Sequence, residues 1–501
     1  MPIRITGMNS GLDTESIITE LMKAYKTKSE SIEKKQTKLT WTQDAWKSLN
    51  TKVYSFYTGI YNLKLSSSYS SKKATMSDNT KATVSASGSA VIGTQKLNII
   101  STAQTAYMTG AKLGDIKKSS TLADLGYTGE NTSITVKLGD GTTTDVQLAS
   151  TDTMSAVMNK FKDAGLNANY DEGNQRIYLS AKASGQAGDF ELTSADNKGS
   201  QLIDLLGLNT APSDPDKEAA VKIDGQDAVI KLNGVKYTNN TNSFSINGLN
   251  ITASAVTGED DADAITVTTS TDTQAIYDKI KDFLSEYNSI MKEMSTLYNA
   301  DSASKYEPLT DDEKEEMTDS EIEKWETKIK DSLLRKDSTL GNLMSTMTSS
   351  MSKVYEVNGK KMSLSTFGIS TLSYFSAPEN EKNSYHIDGD ADDSNTSGNA
   401  DKLMEAISSD PDSVIDFMKA LASDLYSGID KMMKSTTLSS AYTIYNDKQM
   451  QTQQTEYTRQ LKEWETKISE KEDYYYKKFA SMESALASLN SNSNYLSNML
   501  G

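Results

Sequence analysis

The chain has 501 residues and a net charge of −17, and this length allows roughly three domains that each bury a core. The excess of acidic residues argues against nucleic acid or an acidic lipid surface as a partner, because both bind clustered Lys and Arg. The chain has no cysteine, which excludes disulfides and cysteine-based zinc sites, and it lacks an apolar run of about 18 residues that could span a bilayer.

The N-terminal residues 6 to 13, TGMNSGLD, place two glycines before an apolar segment. A P-loop needs four residues between its glycines and then a Lys, whereas three residues separate Gly7 from Gly11 and the acidic Asp13 follows. A nucleophile elbow needs Gly-x-Ser-x-Gly and a nearby His, whereas the Ser here stands at the fourth place and His386 is the only histidine. The spacing therefore predicts a helix start capped by Asp13.

Residues 12 to 58 contain neither Gly nor Pro, and they carry a heptad repeat. The apolar column consists of Ile18, Tyr25, Ile32, Leu39, Trp46, Val53 and Ile60. The neighbouring column begins at Leu21 and is interrupted by Lys28 and Lys35. A spacing of seven keeps an apolar stripe on one side of a helix only if the helix supercoils around a partner, so this pattern predicts a coiled coil.

The sequence from 71 to 272 shows short alternating apolar runs separated by Gly, Asn and Asp, which is typical of strands and turns. These runs include residues 96 to 100, 134 to 138, 176 to 179, 221 to 223 and 265 to 268. One amphipathic helix is predicted at 153 to 163, and Pro212 and Pro215 mark an internal linker. We predict a nested β-rich domain at 126 to 212, inside an outer β-rich domain that combines 71 to 125 with 213 to 272.

Helical periodicity returns after residue 272. It is carried first by Ile276, Ile280, Phe283, Leu284, Tyr287 and Met291. It continues through residues 311 to 330, 331 to 353 and 401 to 434. We predict a helical bundle that combines residues 46 to 70 with residues 273 to 440.

The acidic segment 388 to 399, DGDADDSNTSGN, partly resembles a calcium-binding loop. Its first, third and fifth positions are aspartates, as in an EF-hand. The EF-hand glycine at position six and glutamate at position twelve are replaced by Asp393 and Asn399. The pattern favours a solvated acidic loop over a calcium site, so we predict neither a metal nor a cofactor.

The C-terminal residues 429 to 500 repeat the design of the N-terminal segment, again without Gly or Pro. The apolar column consists of Leu461, Ile468, Tyr475, Met482, Leu489 and Leu496. The second column begins at Trp464 and is interrupted by Lys471 and Lys478. We expect coiled-coil and assembly contacts from the apolar members of both terminal segments, including Leu21 and Trp464.

The single apolar column of each terminal segment buries too little surface to order either helix alone. Fixing each residue costs about 1–2 kcal/mol, while a fully buried apolar side chain returns about 1.5–3 kcal/mol. We therefore expect the ends to pair with each other as legs, residues 1 to 45 and 441 to 501, and to stay loose until other chains cover them. The alternative is a two-helix stalk that needs no partner. The predicted fold is α+β multidomain, with a terminal coiled coil, a helical bundle and two inserted β-rich domains.

Five segments occur in the order found in a known protein family. They are residues 5 to 22, ITGMNSGLDTESIITELM; 271 to 294, TDTQAIYDKIKDFLSEYNSIMKEM; 366 to 374, TFGISTLSY; 410 to 418, DPDSVIDFM; and 479 to 500, FASMESALASLNSNSNYLSNML. This ordered set resembles the flagellar filament-capping proteins, also called hook-associated protein 2. The resemblance is weaker across residues 100 to 260.

The resemblance implies secretion through the flagellar export channel without a cleaved signal peptide, and residence at the distal tip of the filament. It implies a ring of several copies beneath which exported flagellin folds, with hook–filament junction proteins and an export chaperone as further partners. It implies no enzymatic activity. The alternatives are a tip-located adhesin, or another axial flagellar protein such as flagellin or a junction protein. In the capping hypothesis, Lys28, Lys35, Lys471 and Lys478 keep the leg contact weak enough to move.

Overall fold

The computed structural model describes residues 11 to 129, 131 to 375 and 377 to 500, and the chain forms two compact units. The helical unit combines Met1–Tyr69 with Thr273–Gly501, and the β-rich unit is Ser70–Asp272. Helices and sheets both contribute, which confirms the predicted α+β multidomain class. Within the described ranges, no helix has the length and apolarity needed to cross a membrane.

The described residues form ten α-helices, numbered here in chain order. They are α1 (Thr14–Leu63), α2 (Met154–Asp163), α3 (Asn197–Leu205), α4 (Thr273–Tyr298), α5 (Asp311–Glu315), α6 (Asp319–Asp331), α7 (Ser338–Ser352), α8 (Lys402–Ser409), α9 (Pro411–Met432) and α10 (Asp447–Leu500). Helices α2 and α3 belong to the β-rich unit, and the other eight belong to the helical unit. The predicted helix at 153 to 163 is confirmed as α2, with Thr153 as its N-cap.

The start of α1 is the capped helix start that the sequence predicts. The Asp13 carboxylate accepts a hydrogen bond from the Ser16 backbone N–H at 3.0 Å and another from the Ser16 hydroxyl. These bonds lower the pKa of Asp13, since they stabilise its charged form. Residues 6 to 10 of the glycine-containing motif lie outside the described residues.

The described residues also form nineteen β-strands. In chain order they are β1 (Lys72–Met76), β2 (Ala82–Ala86), β3 (Gly93–Ser101), β4 (Thr105–Thr109), β5 (Thr132–Leu138), β6 (Thr143–Leu148), β7 (Leu166–Asp171), β8 (Arg176–Ser184), β9 (Phe190–Thr193), β10 (Val221–Ile223), β11 (Ala228–Leu232), β12 (Val235–Asn239), β13 (Ser243–Ile246), β14 (Leu249–Ala253), β15 (Ile265–Thr271), β16 (Tyr355–Val357), β17 (Lys360–Met362), β18 (Ile369–Thr371) and β19 (Tyr385–Ile387). All five apolar runs predicted as strands lie in strands, namely β3, β5, β8, β10 and β15.

Four antiparallel sheets build the β-rich unit around two separate cores. Their strand orders are β1-β15-β3-β11-β12, β13-β14-β2, β10-β4-β8-β7 and β6-β5-β9. The outer core includes Leu97, Ile230 and Val267, and the inner core runs from Ala106 to Ala220. The inner core thus extends on both sides of the predicted range 126 to 212. The reason is long-range pairing, because β4 lies between β8 and β10 in one sheet.

The core of the helical unit is built on the C-terminal half of α1. Phe56 of α1 stacks on Phe283 of α4, with ring centroids 6.1 Å apart. All six apolar residues that predicted α4 from Ile276 onward are buried, so that helix is confirmed. The core continues through α7, α8 and α9 to Ile444, and it includes buried residues of α1 from Trp46 to Leu63.

Residues 433 to 446 leave the helical conformation, although they contain neither Gly nor Pro. The backbone N–H of Ser440 donates to Asp447 Oδ1 at 2.7 Å, and that of Ser439 donates to Thr436 Oγ1 at 2.9 Å. Short polar side chains compete with helical hydrogen bonds in this way. A rule based on helix breakers therefore misses the loop that precedes α10.

Candidate assembly surface

The two terminal helices, α1 and α10, lie side by side and antiparallel. The Gln36 side-chain amide donates to the Thr458 hydroxyl at 2.9 Å, and the Gln454 amide donates to the Thr40 hydroxyl at 3.2 Å. Residue numbers therefore rise along α1 as they fall along α10. The middle of the pair is joined by polar side chains, which a purely apolar seam would not contain.

The end of the pair nearest the bundle core is packed closely. Trp46 is 1% exposed and stacks on Tyr445, with ring centroids 5.5 Å apart and planes at 9°. The Asn50 amide donates to the Tyr442 carbonyl at 3.2 Å, and its oxygen accepts from the Ile444 N–H at 2.9 Å. Stacking and a two-point hydrogen bond fix the chain just before α10 to α1.

Away from the bundle core, the predicted contact residues are only partly covered. Among them Ile18 is buried and Leu21 is exposed. The half-buried members are Tyr25, Ile32, Leu39, Leu461, Trp464, Ile468, Tyr475 and Met482. Leu489 is 63% exposed and Leu496 is 57% exposed. The described residues thus leave an apolar surface on the outer parts of both helices, where a second molecule could bind.

Four lysines interrupt the second heptad column of the terminal segments, and we call them the seam lysines. All four are exposed: Lys28, Lys35, Lys471 and Lys478. The ammonium groups of Lys471 and Lys478 lie 5.6 Å and 5.9 Å from the centroid of the Tyr474 ring. The outer part of α1 is instead braced by α5 and α6, since Lys34 pairs with Glu313 at 2.8 Å and Lys330 lies 4.6 Å above Trp41. The seam lysines therefore present charge outward from the pair.

A cluster of five tyrosines, which the heptad analysis missed, lies beside the base of α10. We call Tyr54, Tyr57, Tyr61, Tyr426 and Tyr442 the tyrosine cluster. The Tyr57 hydroxyl lies 2.6 Å from the Tyr426 hydroxyl and 2.9 Å from Asp430 Oδ1. Burial, together with these hydrogen bonds, raises the pKa of Tyr57. The spacing of Tyr54, Tyr57 and Tyr61 on one helix face was a readable signal for this cluster.

The acidic segment 388 to 399 uses its carboxylates within the protein. Lys281 Nζ lies 2.7 Å from Asp390 Oδ1 and 2.6 Å from Asp392 Oδ2, and the hydrogen bond to Lys281 lowers the pKa of Asp392. Asp393 pairs with His386, the single histidine. In the described ranges, no cluster of three or more His, Cys, Asp or Glu side chains is arranged to hold a metal ion.

The chain is similar over most of its length to known flagellar proteins. A model of the flagellar hook-associated protein 2 N-terminus matches residues 10–106, and a model of its C-terminus matches residues 225–491. Flagellar hook-associated protein 2 of Halalkalibacterium halodurans is 24% identical over 466 residues, covering 85% of this chain and 81% of the relative. The protein of that name in Thermotoga maritima is 25% identical over 361 residues, covering 71% of this chain and 53% of the relative.

A solved structure also resembles this chain. The D1-D2-D3 domains of the flagellar cap protein FliD from Escherichia coli give a TM-score of 0.49 at 19% identity, covering 79% of this chain and 97% of that one. Apart from Ala106, the inner core lies between the two ranges that the family models match.

Proposed function

Because the chain belongs to the flagellar hook-associated protein 2 family, we propose that it caps the distal tip of the bacterial flagellar filament. Several copies form a ring there, promote the insertion and folding of exported flagellin, and prevent its loss. The protein reaches the tip by export without a cleaved signal peptide. Hook–filament junction proteins and an export chaperone for the C-terminal tail are its further partners.

The observation that carries this proposal is the uneven packing of the α1–α10 pair. The pair is fixed at Trp46 and Tyr445, whereas Leu21, Leu489 and Leu496 are exposed on its outer parts. A leg that contacts the end of a growing filament needs a firm base and an uncovered outer surface. This arrangement meets both needs, and the exposed end of α10 offers a segment for the chaperone.

The four exposed seam lysines keep the affinity of the legs for the filament low, as a moving cap requires. A cap must release and rebind each time the filament lengthens, so a large apolar contact would hold it in one place. Exposed ion pairs contribute only about 0–1 kcal/mol each, because water and salt screen them. We therefore propose that Lys28, Lys35, Lys471 and Lys478 keep the legs from binding the filament too tightly.

Replacing these four lysines together with leucine is expected to stall filament growth while leaving the isolated protein folded. Each side chain is exposed, so each substitution should change the free energy of unfolding by less than about 0.5 kcal/mol. Filament length is measured by electron microscopy in cells that lack the native cap gene and carry the variant. We expect filaments markedly shorter than those of the wild type.

The matched control removes the same number of charges from exposed positions in the β-rich unit. Its four positions are Lys112, Lys117, Lys137 and Lys182. Leucine at these sites should leave filament length near the wild-type value. Normal filaments in the seam variant would show that weak leg contacts do not set the growth rate.

Adhesion is a second candidate function, because the inner β-rich core carries an exposed aromatic and aliphatic surface. On the sheet β10-β4-β8-β7, the rings of Tyr107 and Tyr178 lie 6.4 Å apart. On the edge strand β10, Val221 is 64% exposed and Ile223 is 46% exposed. We propose this face as a contact for host glycans, since tyrosine combines an apolar ring with a polar tip.

Changing Tyr107 and Tyr178 to serine is expected to lower bacterial adherence to mucin-coated surfaces about tenfold while swimming is unaffected. Point changes are preferable to deleting residues 126 to 212, because that deletion cuts through the inner core. Tyr374→Ser, at an exposed site of the helical unit, is the control. Full adherence of the double variant would remove this candidate.

A further inference from the structure

The tyrosine cluster forms one continuous chain of contacting rings. In order along the surface the rings are Tyr442, Tyr54, Tyr57, Tyr426 and Tyr61, with successive centroids 5.6, 6.1, 4.4 and 5.9 Å apart. Tyr54, Tyr61 and Tyr442 are 40%, 48% and 56% exposed, respectively. Exposed aromatic clusters of this kind are typical of the central residues of protein interfaces.

The cluster is held rigidly, although one member has a strained backbone. Tyr442 has a φ of 61°, a left-handed conformation that is rare for a bulky residue. Its N–H donates to the Met433 carbonyl at 2.8 Å, and its carbonyl accepts from the Asn50 amide at 3.2 Å. Strain of this kind persists where the surroundings enforce it, often at functional positions. Here it presents an aromatic ring to solvent beside Tyr54.

A groove between α1 and α4 lies on the other side of α1. It has a volume of about 430 Å³, with the largely buried Phe56 and Ile290 among its lining residues. Small side chains also line it, namely Ser55, Ser285 and Ser289. Small residues beside apolar ones leave room for large side chains of a partner.

The cluster and the groove lie at the same level on opposite faces of α1. Lys52 is part of the groove, where it pairs with Glu293 at 2.7 Å. Tyr54 follows Lys52 by two residues, which in an α-helix is a rotation of about 200° and a rise of about 3 Å. Tyr61 lies nine residues after Lys52, which is about two and a half turns. Two different surfaces on opposite sides of a subunit permit head-to-tail contacts, and these close into a ring when the rotation is right.

The charges around the two surfaces are complementary. The exposed acidic residues Asp278, Asp282 and Glu286 follow one face of α4 at a spacing of four, and Glu286 lines the groove. Around the tyrosines, Lys64 Nζ lies 4.0 Å above the Tyr426 ring, and the exposed Lys434 lies 3.9 Å from Asp430, the carboxylate that contacts Tyr57. Tyrosine hydroxyls also donate hydrogen bonds to carboxylates. Such complementarity selects one orientation between two copies.

We propose that the tyrosine cluster of one copy of this chain docks into the α1–α4 groove of the next copy. This inference rests on the proposed ring at the filament tip, and it names the two surfaces that join neighbouring subunits in the helical unit. The contact is head-to-tail, with the α1 helices of neighbours standing side by side. Tyr54, Tyr61 and Tyr442 supply the apolar contact, and the acidic face of α4 receives the cationic rim.

Cysteine cross-linking of the full-length protein tests the contact cleanly, because the chain has no cysteine of its own. Thr58→Cys is placed beside the cluster and Ser289→Cys in the groove, which leaves every tyrosine intact. Under mild oxidation the double variant should form a ladder of disulfide-linked copies. A mixture of the two single variants should form one linked dimer. Thr58→Cys combined with the exposed Ser365→Cys is the control, and it should form no ladder.

Loss of the tyrosines tests the same contact without cross-linking. We expect Tyr54→Ala with Tyr61→Ala to raise the concentration needed for assembly about tenfold or more, measured by native mass spectrometry. Tyr442→Gly should weaken assembly too, while the monomer keeps its unfolding transition because glycine adopts a positive φ without strain. A shared loss of monomer folding in both variants would instead make the cluster a structural feature and overturn the inference.

The outcomes separate this inference from the proposed function. A wild-type ring whose double-cysteine variant gives no ladder overturns the contact and leaves the cap intact. If two copies of the Thr58→Cys single variant form a disulfide with each other, the contact is symmetric, and the head-to-tail contact is overturned. Tyrosine variants that keep the ring but lose flagellin incorporation assign the cluster to flagellin instead. A wild-type protein that never assembles overturns both the contact and the ring.

Discussion

Replacing Trp46 with alanine is expected to lower the free energy of unfolding of the helical unit by about 3–5 kcal/mol. Trp46 is 1% exposed and stacks on Tyr445, so the substitution opens a cavity where α1 meets the segment leading into α10. Urea unfolding of the full chain, followed by far-UV circular dichroism, measures the loss. Filament capping should also fall, because the substitution frees the segment that leads into α10 from its contact with α1.

Trp464→Ala is the matched control, since it removes the same side chain from the partly covered part of the pair. Trp464 is half-buried, and Lys467 Nζ lies 4.9 Å from its ring. We expect a loss of about 1 kcal/mol, which is ordinary for a site without a closed core around it. Equal losses of unfolding free energy would mean that the outer parts of α1 and α10 are packed as tightly as the contact between Trp46 and Tyr445.

This contrast shows what the heptad repeat could and could not predict. The column from Ile18 to Ile60 has one spacing throughout, and it correctly predicts one long helix with one apolar side. From Trp46 onward that side faces the bundle core, whereas Tyr25, Ile32 and Leu39 are only half-buried. Periodicity identifies the apolar side of a helix, but the partner that covers it depends on residues distant in sequence.

The same limit explains the other differences between sequence and structure. Strands β5, β8 and β10 of the inner core were predicted, but the extent of this core was not, because β4 pairs with β8 across 66 or more intervening residues. The tyrosine cluster joins Tyr54 to Tyr442 through a loop held by polar side chains. The spacing of Tyr54, Tyr57 and Tyr61 marks one face of α1, but the loop and its contact through Tyr442 leave no periodic signal. The helix cap at Asp13 was predictable, because all of its partners are local.

Amide hydrogen exchange of the isolated monomer is expected to divide α1 into two parts. From Trp46 to Leu63, with both ends included, seven side chains are buried, whereas none is buried from residue 23 to residue 45. Local opening of the outer part should therefore cost about 4 kcal/mol less than opening of the part in the core. That difference corresponds to exchange about 1,000-fold faster in the outer part. The outer half of α10 should exchange as fast as the outer part of α1.

Assembly should then protect both outer segments, because neighbouring copies and flagellin cover Leu21, Leu489 and Leu496. Helix α7, whose apolar side is buried in the bundle core and which belongs to neither proposed docking surface, is the internal control, and its protection should be the same in the monomer and the ring. Mass spectrometry of deuterated protein measures each segment in both states. A monomer in which residues 20 to 40 are already as protected as residues 46 to 63 would support the self-sufficient stalk. The legs would then be ordered without any partner, and the capping mechanism proposed here would lose its physical basis.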